Sequence, residues 1–128
     1  MKKVFKILVA LLIVLFVIAL TSVFFISRGL KSGMNLEIND VNLTSLNDGI
    51  YNGKYNAGRW SNEMNITIKD HKIIKIEVIK DVSFSLPEVT QAIISKVLEK
   101  QNTNVDIISG STVTSKAYLK AIENALNK

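Results

Sequence analysis

The chain has 128 residues, a formal net charge of +5 and no cysteine. The missing cysteine excludes disulfides, thiolate metal sites, Fe–S clusters and covalent c-type haem. The single histidine, His71, leaves little for a histidine-based metal centre or a Ser-His-Asp triad. Redox chemistry, if this chain performs any, must therefore sit on an organic cofactor. The charge is also unevenly spread. Residues 1–31 carry Lys2, Lys3, Lys6, Arg28 and Lys31 and no acid, while the rest of the chain holds 11 basic and 11 acidic residues. The folded part is thus formally neutral, which speaks against a nucleic-acid partner, since that would want a basic stripe.

Val4 to Ile26 is apolar except for Lys6, Thr21 and Ser22. About twenty such residues span a bilayer, and only a helix can do so without leaving backbone amides unpaired. The run is longer than the core of a cleaved signal peptide, and Phe24-Phe25-Ile26-Ser27 offers a poor cleavage site. Residues 1–31 are expected to be an uncleaved transmembrane anchor in the cytoplasmic membrane. Lys2, Lys3 and Lys6 before the span place the N-terminus inside and the domain outside.

Residues 32–47 are polar and read as a linker that lifts the domain off the membrane, with a short strand possible at Leu36–Ile38. The domain itself is expected over residues 48–128. Gly49–Asn56 carries the first strand signal. Asn62–Lys69 alternates strictly, with Met64, Ile66 and Ile68 on one face. Lys72–Lys80 alternates again, with Ile74, Ile76 and Val78 expected inward, and Asp70-His71 joins the two as a hairpin turn. A helix should begin near Ser85, which has capping-box spacing to Glu88 with Pro87 in the first turn. Val89, Ala92, Ile93, Val97 and Leu98 form its apolar stripe. Val105–Ile108 reads as a short strand, and Ser115–Leu126 as a last helix with Tyr118, Ala121, Ile122, Ala125 and Leu126 on its buried face. The fold class is α+β: a small antiparallel sheet with a hairpin, packed against two helices and preceded by one transmembrane helix.

The segment richest in chemistry is Asp106-Ile107-Ile108-Ser109-Gly110-Ser111-Thr112-Val113-Thr114-Ser115. Hydroxyls and a glycine lie between a short strand and a helix. A helix N-terminus presents unpaired N–H groups and positive dipole to a phosphate, Gly110 permits φ > 0, and Thr112 offers a hydroxyl where the phosphate would rest. The same residues also serve as ordinary helix caps, Ser115 above all. Two readings are likewise open for Gly58-Arg59-Trp60-Ser61. Trp60 stacks on a ligand ring that Arg59 stabilises electrostatically, or Trp60 is a packing plug and Arg59 a solvated charge; buried packing is the commoner role for tryptophan. His71 is a turn residue without a functional partner in view.

The Ser-Gly-Ser-Thr-x-Thr-Ser run with an aspartate three residues before it resembles the signature of the FMN-binding domain family, usually Asp-x-x-Ser-Gly-Ala-Thr-x-Thr-Ser. That family includes flavin-bearing subunits of sodium-pumping NADH:quinone oxidoreductase and of Rnf-type complexes, and small membrane-anchored proteins of extracytoplasmic electron transfer. Asp48-Gly49-Ile50-Tyr51-Asn52-Gly53 is similar to the family's opening, and the hairpin around Lys69-Asp70 to its Val-x-Val-Lys-Asp-Gly-x-Ile, with His71 in place of the turn glycine. The resemblance implies FMN as cofactor, bound by Asp106, Ser109, Gly110, Ser111, Thr112, Thr114 and Ser115. It implies a phosphodiester between Thr112 and FMN, installed by a flavin transferase from FAD with magnesium. Ser111 stands where the family has alanine. The implied partners are the membrane, the transferase and membrane redox proteins, quinone-linked or otherwise. The implied role is a redox carrier; a small flavin-dependent reductase and a flavin-free scaffold are the alternatives.

Overall fold

A computed structural model describes residues 1–127. Helix α1, Lys2–Ser27, buries none of its residues. Its 26 residues rise about 39 Å at ~1.5 Å each, enough to cross a hydrocarbon core of ~30 Å. Among the described residues it is the one helix long and apolar enough to do so. Gly29, with φ +88°, breaks it, and a single turn, α2 (Leu30–Met34), follows.

Strands β1 (Gly49–Tyr55), β2 (Asn62–Lys69) and β3 (Lys72–Lys80) form one antiparallel sheet in the order β1-β2-β3. Asp70 and His71 both have positive φ, 50° and 59°, the geometry of the two-residue turn that matches strand twist. The backbone N–H of Asp70 donates to Asp48 Oδ1 at 2.8 Å. Met64, Ile66 and Ile68 are fully buried, as their alternation demands. Strand β3 departs from expectation. Thr67 pairs with Lys75 and Ile68 with Ile73, leaving Ile74 as a bulge, and a second bulge leaves Ile79 unpaired. Each bulge flips the face, so Ile73 and Ile76 point inward while Ile74 is 54% exposed.

Helix α3 (Pro87–Lys100) packs on β3 and on α4 (Thr112–Leu126), which lies across β1 and β2. Val89, Ile93 and Val97 of α3 are buried. Pro87 takes the first helical position and makes Leu86 the cap, so the expected Ser85 cap does not form and α3 has no side-chain cap. Helix α4 buries Tyr118, Ala121, Ile122, Ala125 and Leu126 as expected, and also Val113, Ser115, Ala117, Leu119 and Glu123. The contact of α4 with β1 is close: a Cβ on Gly53 would lie 2.0 Å from Ala121 O and 2.6 Å from Ala125 N. The α+β architecture is thus the expected one, but neither Leu36–Ile38 nor Val105–Ile108 is a strand. Val105 is held by a turn bond from its N–H to Thr103 O at 2.9 Å, with no ladder partner.

The stretch read as a free spacer is fastened to the domain. Val41 and Leu43 join the core. Asn39 donates its backbone N–H and its amide to the carboxylate of Glu123, at 3.0 and 3.1 Å. Thr103 Oγ1 donates to Asn39 O at 2.6 Å, Lys116 Nζ to Met34 O at 2.8 Å and Lys120 Nζ to Glu37 O at 3.2 Å. Lys120 Nζ also pairs with Glu123 Oε1 at 2.9 Å. Burial by itself would raise the Glu123 pKa, but the two Asn39 donors and Lys120 outweigh it and hold the carboxyl below its usual value.

Two predictions follow from this packing. Gly53→Ala must push α4 off the sheet and should cost about 3 kcal/mol, read as a lowered midpoint in thermal unfolding. Because the folded pKa of Glu123 is depressed, its contribution is present above the unfolded carboxylate range and is lost as pH falls through the folded value. Glu123→Gln should therefore lower stability at neutral pH by about 1–3 kcal/mol and flatten the acid limb of the stability–pH curve, measured by urea unfolding from pH 3 to 7.

Candidate functional site at the N-terminus of α4

Four of the expected residues come together. Gly110, Ser111, Thr112 and Thr114 line one cavity of about 280 Å³ with Arg59, Trp60, Leu30 and Met34. Helix α4 starts at Thr112, three residues earlier than its periodicity suggests, so Thr112 and Thr114 lie in its first turn. Ser111 is the cap residue but makes no side-chain cap bond. Its own N–H donates to Ile108 O at 2.9 Å, and the Ser115 N–H donates back to Ser111 O at 2.8 Å. The N–H groups of Thr112, Val113 and Thr114 lie between these two bonds, where an α-helix supplies no internal acceptor. Gly110 turns the chain into the helix with φ +80°, and a Cβ there would meet nothing within 4 Å. Backbone conformation, and not lack of room, is what requires glycine at this point.

Ser115 does not cap α4. It is fully buried in the first turns, and its Oγ accepts the Ile108 N–H at 3.2 Å, tying the loop before the helix to the helix itself. Ser109 is exposed. Asp106 lies apart from Thr112, in a groove with Lys96, Glu99, Lys100 and Val105, where its backbone carbonyl accepts from Lys96 Nζ at 3.3 Å.

Arg59 and Trp60 belong to a short 3-10 helix, Gly58–Trp60, between β1 and β2. Trp60 is 2% exposed and is part of the core. The Arg59 guanidinium lies 4.0 Å from the centroid of its ring. With one face under Arg59 and the ring buried, Trp60 is the packing plug. Arg59 is the residue that sequence reasoning undervalued. Its Nε is buried without a hydrogen-bond partner, and no acid among the described residues forms an ion pair with it. The signal in the sequence was only its neighbour, Trp60, a surface on which a guanidinium can stack.

An uncapped helix end, a left-handed glycine, a threonine hydroxyl and an unpaired guanidinium around one cavity form an anion site suited to phosphate. This is an α+β domain whose last helix opens on an uncapped first turn. Comparison with known proteins agrees: the family described as FMN-binding domain matches residues 58–127. No curated protein matches the chain. The chain belongs to the FMN-binding domain family, and FMN is the cofactor of its domain. The residues present fit that cofactor at its phosphate end. The cavity of about 280 Å³ falls just short of the ~300–1,000 Å³ that encloses a small ligand.

Loss of the Ser115 hydroxyl should loosen this arrangement. Ser115→Ala strips the part-buried Ile108 N–H of its acceptor and should destabilise the domain by about 1–2 kcal/mol. Hydrogen exchange should show faster exchange at Ile108 and Ser111, with the sheet amides unchanged.

Proposed function

We propose that this protein is a membrane-anchored electron-transfer flavoprotein that carries FMN on the extracytoplasmic side, with the flavin phosphate esterified to Thr112. The observation that carries the reading is the uncapped first turn of α4, which puts the Thr112 hydroxyl, free N–H groups and the Arg59 charge around one cavity. A flavin transferase is the second party: the Thr112 oxygen forms a bond to the FMN phosphorus of FAD, AMP leaves, and the threonine proton goes to solvent. The phosphodiester so formed keeps one negative charge, which the helix end and Arg59 stabilise.

Bound FMN supplies reversible electron transfer at its isoalloxazine ring. The residues of the chain have three tasks in this reading. Gly110 and Ser111 shape the entry to the helix so that Thr112 stands at the cavity mouth, with Ser109 completing the loop. Thr114 offers a further hydroxyl toward the phosphate, and buried Ser115 keeps the loop in place. Asp106 is set in its own groove, apart from the cavity that Thr112 lines. Leu30 and Met34 line the same cavity from the segment that follows α1, so the ring lies near the membrane surface, where quinone-linked or other membrane redox proteins exchange electrons with it. A carrier rather than a stand-alone enzyme is favoured by the shallow cavity, which leaves no enclosed place for a second substrate.

Thr112→Ala, expressed in cells that contain a flavin transferase, should lose in-gel flavin fluorescence and the mass of FMN less one water on the peptide bearing residue 112. Thr112 is half-buried and outside the hydrophobic core, so thermal unfolding should change by less than ~0.5 kcal/mol. Flavin retained on the mutant chain would move the attachment to Ser111 or Thr114. Wild-type chain of unmodified mass from such cells would refute covalent attachment.

A further inference from the structure

Beyond the flavin site, the loop from Asp81 to Leu86 carries two large apolar side chains in the open. Phe84 is 77% exposed and Leu86 49%. The loop is not slack. Tyr118 donates its hydroxyl to Asp81 Oδ1 at 2.6 Å and pairs with Thr90 Oγ1 at 2.9 Å. The Val82 N–H donates to Asp81 Oδ1 at 2.8 Å, and Val82 is buried. The Ser83 N–H donates to Arg59 O at 2.8 Å. Between these fixed points Phe84 has φ +58°, a conformation that is a genuine outlier for a bulky residue. Both base and tip are therefore held, and the phenyl ring projects outward from a built loop.

Its position in the fold identifies what it meets. The 3-10 helix at Gly58–Trp60 touches the end of α1: a Cβ on Gly58 would lie 2.7 Å from Arg28 O, and one on Gly29 3.0 Å from Ala57 O. Through the Arg59–Ser83 bond, the Phe84 loop is the next element out from that contact. Tyr55 pairs with Asn62 and Glu63 with Lys80, so this end of the sheet faces the anchor, while the Asp70-His71 turn marks the opposite end. Leu30 and Met34, 40% and 55% exposed, lie beside the same contact. Arg28 and Lys31 add positive charge at the end of the span, and the Arg59 guanidinium is 6.0 Å from the Phe84 ring. Apolar tips among cations at the end of a spanning helix match a lipid interface, where rings enter the acyl boundary and cations meet headgroup phosphates.

We propose that Phe84 and Leu86 form a second membrane contact, a wedge that seats the domain on the lipid surface and fixes its tilt. The proposal rests on α1 being the anchor. It is tested with the full chain in vesicles of phosphatidylcholine and phosphatidylglycerol, spin-labelled at single cysteines, which the cysteine-free chain accepts without further change. Ser83→Cys places a label beside the wedge, Ile74→Cys near the far end of the sheet and Val14→Cys within α1. The ratio of collisions with oxygen to collisions with a water-soluble nickel chelate should be high at Val14, raised at Ser83 and low at Ile74, and Phe84→Ser should return the Ser83 value to that of Ile74. A Ser83 value equal to that of Ile74 in the wild-type background, with Val14 in the bilayer, overturns the wedge alone. An aqueous value at Val14 overturns the anchor and the wedge together.

Discussion

The structure depends on how closely α4 approaches β1. Only a residue without Cβ fits between the strand and the backbone of Ala121 and Ala125, and that contact sets the height of the helix over the sheet. One rigid element then carries three duties. Its middle fills the core through Ala117, Tyr118, Ala121 and Ile122. One side, from Lys116 to Glu123, holds the segment that leads from α1. Its first turn presents the site. A shift of α4 by an ångström would move all three together, because interiors packed to crystal density transmit displacement instead of absorbing it.

This coupling gives the fastened segment a functional meaning. A freely jointed linker of sixteen residues would let a domain sample a shell tens of ångströms across, on the order of 5–6 Å × √n. Here Met34, Glu37 and Asn39 are each tied by a side chain from α4, and Gly33 is pressed against Val113 so tightly that a Cβ there would lie 2.5 Å from Val113 Cγ1. The chain therefore leaves the end of α1 and is at once part of the domain. In the proposed carrier, such a joint holds the cofactor at one height and one orientation, and electron exchange is favoured by a short, reproducible distance to partners in the same membrane.

Fold class was legible because the strongest patterns are physical ones: Met64, Ile66 and Ile68 alternate without competition, and the stripes on both helices keep their period. Strand β3 was legible only in part. Isoleucine occurs at both 73 and 74, and apolar residues at both 78 and 79, so a bulge at either pair still turns an apolar side chain inward, and the bulges leave no mark of their own. The segment from residue 32 to 47 looked like a spacer because its bonds to the domain are made by distant residues, Thr103, Lys116, Lys120 and Glu123, and polar local composition does not reveal distant partners. Two serines misled for a common reason. Ser85 and Ser115 both suit a cap, yet Pro87 moved one helix start later and Gly110 moved the other earlier. Of the site, the motif around Thr112 could be read directly, whereas Arg59 joins it only through the packing of Trp60.

Electrostatics then decides which charge the site favours. Outside residues 1–31 the chain balances 11 acids against 11 bases, and the exposed pairs Lys54–Glu63 and Lys75–Glu77 contribute little on a solvated surface. Arg28 and Lys31 belong to the segment that lines the cavity through Leu30 and Met34, so the nearby charge is positive, and local groups dominate there. The positive end of α4 and the Arg59 guanidinium are both incompletely compensated by the protein. The Arg59 Nε is buried without a hydrogen-bond partner, and an anion in the cavity would supply one. In the proposed carrier, a phosphodiester would bring one negative charge and acceptor oxygens for the N–H groups of that turn, compensating both groups at once.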